Sequence, residues 1–325
     1  MKISQLGEFG LIERIREKNK KAVHHSGTVI GIGDDCAVVK CSRSEYFLFT
    51  TDTLVENVHF SKKYYSFFDI GYKSLAVNLS DIAAMGGMPL YSLVTAGFPA
   101  ETKIEDADEI YRGMSKLASE FNIEIIGGDT VKSPAAVIIS ITLIGKTIYG
   151  SGIKRSGAVA GDLIFTTGNF GDSSAGLYLL QKGVSGYKEL KKKHLNPYPR
   201  IKEGLFIAKS GFATSMIDSS DGFDKSISFI CQESKVGCEV YLDKIPTSHE
   251  FKSFTSNLQL PTSNLILFGG EEYELIFTVP PSKKSYFKKR FYEVGKITKN
   301  KKIIYLDSNN KKIDLKDKGY DHFKK

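Results

Sequence analysis

Four times in this chain an apolar run closes on glycines or hydroxyl residues and then on aspartate. The runs are IGIG-DD (30–35), FLFTT-D (47–52), IIGG-D (125–129) and MIDSS-D (216–221). A fifth carboxylate, Asp81, stands inside the small-residue stretch AVNLSDIAAMGGMP (76–89). This repetition constrains the fold. Apolar runs of this length suit strands bounded by turns, so the aspartates fall at or near the ends of elements. Carboxylates set beside threonine and serine hydroxyls are hard oxygen ligands. Such sets suit Mg²⁺, which takes octahedral oxygen coordination and completes it with substrate phosphates. The flanking glycines let the backbone approach those phosphates closely.

Residues 76–85 read as the end of a helix running from about Phe68 to Met85 and stopped by Gly86-Gly87. An ionised carboxylate in such apolar surroundings is costly unless it is paired or holds a metal. Asp81 therefore either faces solvent and caps a neighbouring backbone, or it is a ligand. Asn78, three residues earlier, shares its helix face.

The rest of the chain reads as irregularly alternating strands and helices. Helices are expected over 5–19, 104–120, 172–181, 198–209 and 223–234, with Asp172 or Ser173 capping the third. Strands are expected over 46–51, 90–98, 123–126, 137–144, 162–167, 215–217, 238–242, 265–268, 274–279, 292–297 and 303–306. The glycine- and serine-rich segment 145–161 marks a boundary. The pattern argues for an α+β protein of two domains, 1–148 and 149–325, rather than one doubly wound sheet.

Several functions are disfavoured. There is no P-loop, no G-x-S-x-G elbow and no H-R-D catalytic loop, and Cys36 stands where a dinucleotide fingerprint needs its third glycine. Of the formal net charge of +8, the positive excess lies in the second half, in runs such as Lys191-Lys192-Lys193. Those runs carry few interleaved aromatics, so they read as a solvated surface and no nucleic-acid partner is expected. No apolar run spans a bilayer and no secretory h-region is evident, so no membrane partner is expected. The four cysteines form no C-x-x-C pair and read as reduced thiols, which points to the cytoplasm.

The motifs GIGDDCAVV (31–39), TTDTLVENVHF (50–60), AVNLSDIAAMGGMP (76–89), IIGGDT (125–130), KRSG (154–157), GDSSAGL (171–177), IDSSDG (217–222), GGEEYELIFTV (269–279) and KGYDHF (318–323) resemble, in order, those of the thiamine-monophosphate kinases. The resemblance covers nearly the whole chain. It implies a fold like that of aminoimidazole ribonucleotide synthetase, a homodimer, and in-line transfer of the γ-phosphoryl group of ATP to thiamine monophosphate. It implies that Asp35, Thr50, Thr51, Asp52, Asp81, Asp129, Asp218 and Asp221 bind several Mg²⁺ ions. Gly128, Asp129, Arg155 and Ser220 would contact ATP, and His59 and Glu271 the acceptor. Asp317 stands where many members carry an aromatic residue against the thiamine, with Tyr320 nearby. No acid or base is needed, because the acceptor is already a phosphate oxygen.

Without their flanking motifs, His59 reads as a strand-end histidine, Arg155 as a linker residue, and Glu271 and Glu272 as turn residues, and the motifs reverse this for His59, Arg155 and Glu271; Asp34 reads as a cap. The alternatives to a thiamine-monophosphate kinase are a relative such as a selenophosphate synthetase or the hydrogenase-maturation dehydratase, or a non-catalytic phosphate-ligand or nucleic-acid binding protein using the basic second half. The first two resemble proteins with a reactive cysteine near the N-terminus and a terminal cysteine. Here no cysteine precedes Cys36 and the chain ends Phe323-Lys324-Lys325.

Overall fold

The computed structural model describes residues 2–19, 25–256 and 262–313. Helix α1 (Ile3–Asn19) is broken in direction at Gly7. Strands β1 (Thr28–Ile30), β2 (Ala37–Lys40) and β3 (Tyr46–Val55) follow it as an antiparallel meander. Helix α2 (Phe67–Ala84), β4 (Gly87–Phe98), α3 (Ile104–Phe121), β5 (Glu124–Lys132) and β6 (Ile138–Thr147) complete the first half. These six strands form one sheet in the order β1-β2-β3-β6-β4-β5, with β4 and β5 parallel.

The second half contains β7 (Leu163–Thr166), α4 (Asp172–Gln181), α5 (Lys188–Leu195), α6 (Ile201–Ser210), β8 (Ser215–Asp218) and α7 (Phe223–Ser234). It continues with β9 (Gly237–Tyr241), α8 (His249–Thr255), α9 (Thr262–Leu267), β10 (Leu275–Val279), β11 (Tyr292–Thr298), β12 (Ile303–Leu306) and β13 (Lys312–Ile313). Its seven strands are ordered β13-β12-β9-β11-β7-β10-β8. The fold is α+β, two mixed sheets packed with helices.

Helix α2 lies between the two sheets. It packs on β3, β4 and β6 of the first, and also on β8 and α6. Its start is fixed by a capping box, in which Ser66 and Asp69 satisfy each other's backbone N–H. It has no solvent face, and among its apolar residues it buries Lys73, Ser74, Asn78 and Ser80. Gly71 lets α2 touch α3 backbone to backbone: a Cβ there would sit 1.8 Å from the Ile110 carbonyl oxygen, and one at Gly113 2.0 Å from that of Phe68. The main core runs through both halves, joining Ile82 and Ile139 to Met216 and Phe277.

The other face of the first sheet carries no helix among the described residues. Phe49, Tyr91, Leu93 and Ile126 are each more than a third exposed there.

Four local expectations change. Residues 265–268 are helical or turn, not a strand, because the first three residues of the apolar run LILF belong to α9. Strand β5 does not stop at Ile126 but continues through Gly127 and Gly128 to Lys132. Neither Asp172 nor Ser173 caps α4; Gly171 holds the N-cap position. Helices α5 and α8 were not expected.

Candidate active site

The middle of β3, which runs on past Asp52 to Val55 where a strand end was expected, the end of β8, the middle of α2 and the turn after β1 converge on one point. Carboxylate oxygens of Asp35, Asp81 and Asp218 lie within 4.8 Å of one another. Asp81 is brought there by α2, and Thr50 of β3 donates its hydroxyl to Asp81 Oδ2. Asp218, at the end of β8, accepts from Ser80 Oγ at 2.6 Å. Asp52 is placed by its backbone, whose N–H donates to Asn78 Oδ1 at 3.1 Å. Asn78 therefore braces the strand beside Asp81 instead of pairing with Asp81 itself. Arg155 holds Asp35 through Nε (3.2 Å) and NH2 (2.7 Å), both on Oδ1. Asp35 Oδ2 is buried and meets no hydrogen-bond donor among the described residues.

So many carboxylates in one place resist ionisation together. Burial, then repulsion from Asp221 and Asp35, pushes the Asp52 carboxyl up to about 6. Burial and Asp35 push Asp218 up to about 8. Asp81 is held well above the carboxylate range by burial and by Asp52, Asp218 and Asp35. A cation among these groups would relieve all of them at once. The donor set is carboxylate and hydroxyl oxygen, and an orphaned buried oxygen on Asp35 is left to accept it, so the residues fit a hard divalent ion such as Mg²⁺. Asp34 stands apart from this role: its carboxylate accepts from the backbone N–H of Asp35 and Arg155, as a cap does.

A cleft of about 900 Å³ opens onto the cluster. Asp52, Asp81, Asp218 and Asp221 line it, together with Ser220, His59 and Glu271. The loop carrying Glu271 is zipped to the loop after β8. Glu271 N–H donates to the Ser220 carbonyl at 2.6 Å and Tyr273 N–H to that of Ser219 at 2.9 Å. Both residues take left-handed backbone conformations, at φ 64° and 52°. Non-glycine residues in that region cost of order 1–3 kcal/mol each, which the surrounding hydrogen bonds must offset. His59 Nδ1 accepts the Val55 N–H at 3.0 Å, leaving Nε2 as the donor of the neutral ring.

Three candidates are not brought to the cluster. The Thr51 side chain points to the open sheet face, opposite Thr50, and is bonded to Thr142. Gly128 and Asp129 lie on edge strand β5. Asp129 pairs with Thr95, Thr95 with Ser140 and Ser140 with Thr53, so three strand spacings, roughly 14 Å, separate it from β3. At Gly128 a Cβ would sit 1.7 Å from the Val94 carbonyl oxygen, so only glycine fits. Asp317 and Tyr320 lie outside the described residues.

Sequence reasoning missed Lys73, Ser80 and His194. The argument that singled out Asp81, a charge within an apolar helix, applies equally to Lys73 eight residues earlier.

The family models of AIR synthase related protein match twice, the N-terminal domain over residues 33–147 and the C-terminal domain over 159–307. Thiamine-monophosphate kinase of Buchnera aphidicola subsp. Acyrthosiphon pisum is 37% identical, over 97% of this chain and 98% of that one. The Bacillus subtilis (strain 168) protein of the same name is 33% identical, over 98% and 100%. The chain belongs to the thiamine-monophosphate kinase family. A solved family structure, AaThiL complexed with AMPPCP and TMP, superposes with a TM-score of 0.88 at 33% identity, covering 99% of each chain. The family fold therefore extends over both sheets and the cleft between them. No helix among the described residues is long and apolar enough to cross a membrane.

Proposed function

We propose that this protein transfers the γ-phosphoryl group of ATP to thiamine monophosphate, giving thiamine diphosphate and ADP. The observation that carries the reading is the meeting of Asp35, Asp81 and Asp218 at the cleft of a chain that matches thiamine-monophosphate kinases end to end.

A phosphomonoester's second pKa is about 6, so the acceptor oxygen is already largely ionised at pH 7 and no general base is required. The task is to bring two polyanions together in line. Mg²⁺ ions held by Asp35, Thr50, Asp52, Asp81, Asp218 and Asp221 at the cluster, and by Thr51 and Asp129 away from it, would neutralise the phosphates. Arg155 is anchored on Asp35 and adds a fixed positive charge beside them. Ser220 offers its hydroxyl to ATP from the cleft wall, and His59 and Glu271 face the acceptor. The buried setting strengthens each of these interactions relative to water.

The reading includes a homodimer. The open face with Phe49, Tyr91, Leu93 and Ile126 supports it, since a large uncovered apolar sheet face calls for a partner. Apposed open faces would also carry β5 of one protomer over the other's sheet, and we assign Gly128 and Asp129 to the neighbouring protomer's ATP. The two domains are kept as 1–148 and 149–325, one sheet in each, which the separate sheets support. A cytoplasmic location is supported by the four free cysteines.

The direct test is incubation of the purified protein with ATP, Mg²⁺ and thiamine monophosphate. Thiamine diphosphate and ADP are expected in equal amounts. ADP formed only with some other acceptor would overturn the substrate.

A further inference from the structure

Lys73 is fully buried in α2, and a buried ammonium is costly unless each of its donors is taken. All three are taken. Nζ lies 2.6 Å from Glu271 Oε1, and it donates to Tyr65 OH at 2.9 Å and to the His59 carbonyl at 3.2 Å. Two of these acceptors belong to the residues that face the cleft from its recognition end. The remaining contacts close a ring. Tyr65 OH donates to the His194 carbonyl at 3.2 Å, and His194 Nδ1 lies 3.2 Å from Glu271 Oε2. Ser173 Oγ holds the same Nδ1 at 3.1 Å.

The electrostatics agree with the geometry. Burial pulls the Glu271 carboxyl up, but Lys73, with His194 and His59, outweighs it and holds the group below its ordinary value. Glu271 is thus kept anionic at the cleft, where its side chain remains a quarter exposed. Lys73, Val77 and Asp81 follow one another at four-residue spacing on α2, and Val77 and Asp81 line the cleft. Eight residues of helix place Lys73 roughly 12 Å from Asp81.

We propose that Lys73 is a positioning residue for the acceptor: from inside α2 it holds Glu271 and the His59 backbone in place, and so sets affinity for thiamine monophosphate without touching it. The proposal rests on the function given above.

The experiment compares wild type, Lys73→Met, Glu271→Gln and the double variant, with kcat and KM measured separately for thiamine monophosphate and ATP at saturating Mg²⁺. Lys73→Met is expected to raise KM for thiamine monophosphate by about tenfold or more, the size of a lost charge-assisted contact. KM for ATP stays unchanged. The double variant is expected to be no worse than the worse single variant, because the two residues act as one unit. Lys73→Arg is expected to recover part of the affinity. Should Lys73→Met fail to fold, the double variant, which leaves no uncompensated carboxylate, and Lys73→Arg carry the same comparison. A folded Lys73→Met or double variant with wild-type KM for thiamine monophosphate overturns the proposal, as do single effects that multiply in the double. A wild-type protein that forms no thiamine diphosphate overturns the function itself, and the role of Lys73 falls with it.

Discussion

Ser80 donates a 2.6 Å hydrogen bond to Asp218 across 138 positions of sequence, and the next residue along α2, Asp81, shares a carboxylate cluster with that same Asp218. One turn of helix thus joins the two halves of the molecule at the point where their charges must cooperate. Successive helix residues diverge by about 100°, so Ser80 can reach β8 while Asp81 faces β3.

Ser80→Ala removes this orienting donor and leaves the cluster's carboxylates in place. Loss of an outer hydrogen bond to a metal-binding carboxylate typically costs 10–100-fold in metal affinity. The Mg²⁺ concentration for half-maximal turnover should rise by about that factor, with little change in thermal unfolding. An unchanged Mg²⁺ dependence would show that Asp218 needs no help from α2.

The metal-free protein should lose stability as pH rises from about 4 to about 8, where the raised carboxyls have all ionised. Asp218 is raised to about 8 and Asp34 to about 7, so the folded state holds protons that the unfolded chain, with carboxyls near 3.8, has already released. Glu272, fully buried and raised to about 8, adds to the same slope. Between about 4 and 6.5 His194, lowered by burial to about 4, acts in the opposite direction and offsets part of the fall. Asp218→Asn and saturating Mg²⁺ should each flatten part of the fall, because the ion takes the deprotonated Asp218 carboxylate, and the share from Asp34 and Glu272, which stand outside the cluster, should remain. Thermal unfolding across this pH range, with and without Mg²⁺, reads both effects. A melting temperature that climbs with pH in the absence of metal contradicts the cluster electrostatics.

If Asp129 serves the neighbouring protomer, two inactive variants should rescue each other. Asp81→Asn and Asp129→Ala are each expected to be inactive alone. A randomly mixed population contains half heterodimers, each with one complete site, and should recover about a quarter of wild-type activity. No recovery in verified heterodimers would place Asp129 in its own protomer's site or outside the chemistry.

Glu274 anchors a buried ionic knot: Oε1 meets Lys193 Nζ at 2.7 Å and Arg200 NH2 at 2.6 Å, and Oε2 accepts from Arg200 Nε and Thr167 Oγ1, each at 2.7 Å. Burial pulls its carboxyl up, but the two cations win and hold it near 2. Glu274→Gln strands two half-buried cations, and removing one partner of such a pair costs about 3–5 kcal/mol. Denaturant unfolding should show a loss of that order. A change below about 1 kcal/mol would mean that the cations find water instead.

What was legible in the sequence follows from chemistry confined to short segments. The aspartate after each apolar run and the apolar helix around Asp81 are local patterns, and Asp35, Asp81 and Asp218 do meet. Helix α5 was hidden because its sequence, KELKKKHL, is mostly charge, with Leu190 and His194 as its buried residues. Residues 265–268 misled because four apolar residues in a row fit a strand or a buried helix equally well. The role of Lys73 could not be read at all from spacing, since its partner Glu271 lies 198 positions away and is delivered by a left-handed turn. The positions of Asp129 and Thr51 depend on strand order and on which face of β3 is covered, and neither is written in any one segment.

Helix α2 has a consequence for how this protein can vary. Between Lys73 and Asp81 its side chains are apolar or, at Ser74, Asn78 and Ser80, buried and hydrogen-bonded, so exchanges of like size should pack with little penalty at the apolar positions. Deleting a single residue in that span is a different matter. It turns one end by about 100° and draws it in by about 1.5 Å against the other. Such a slip would also turn the buried Leu75 and Leu79 away from the neighbours they pack against. The carboxylate and the ammonium would no longer address the same molecule. The distance between them works as a gauge, and an altered gauge fits no substrate.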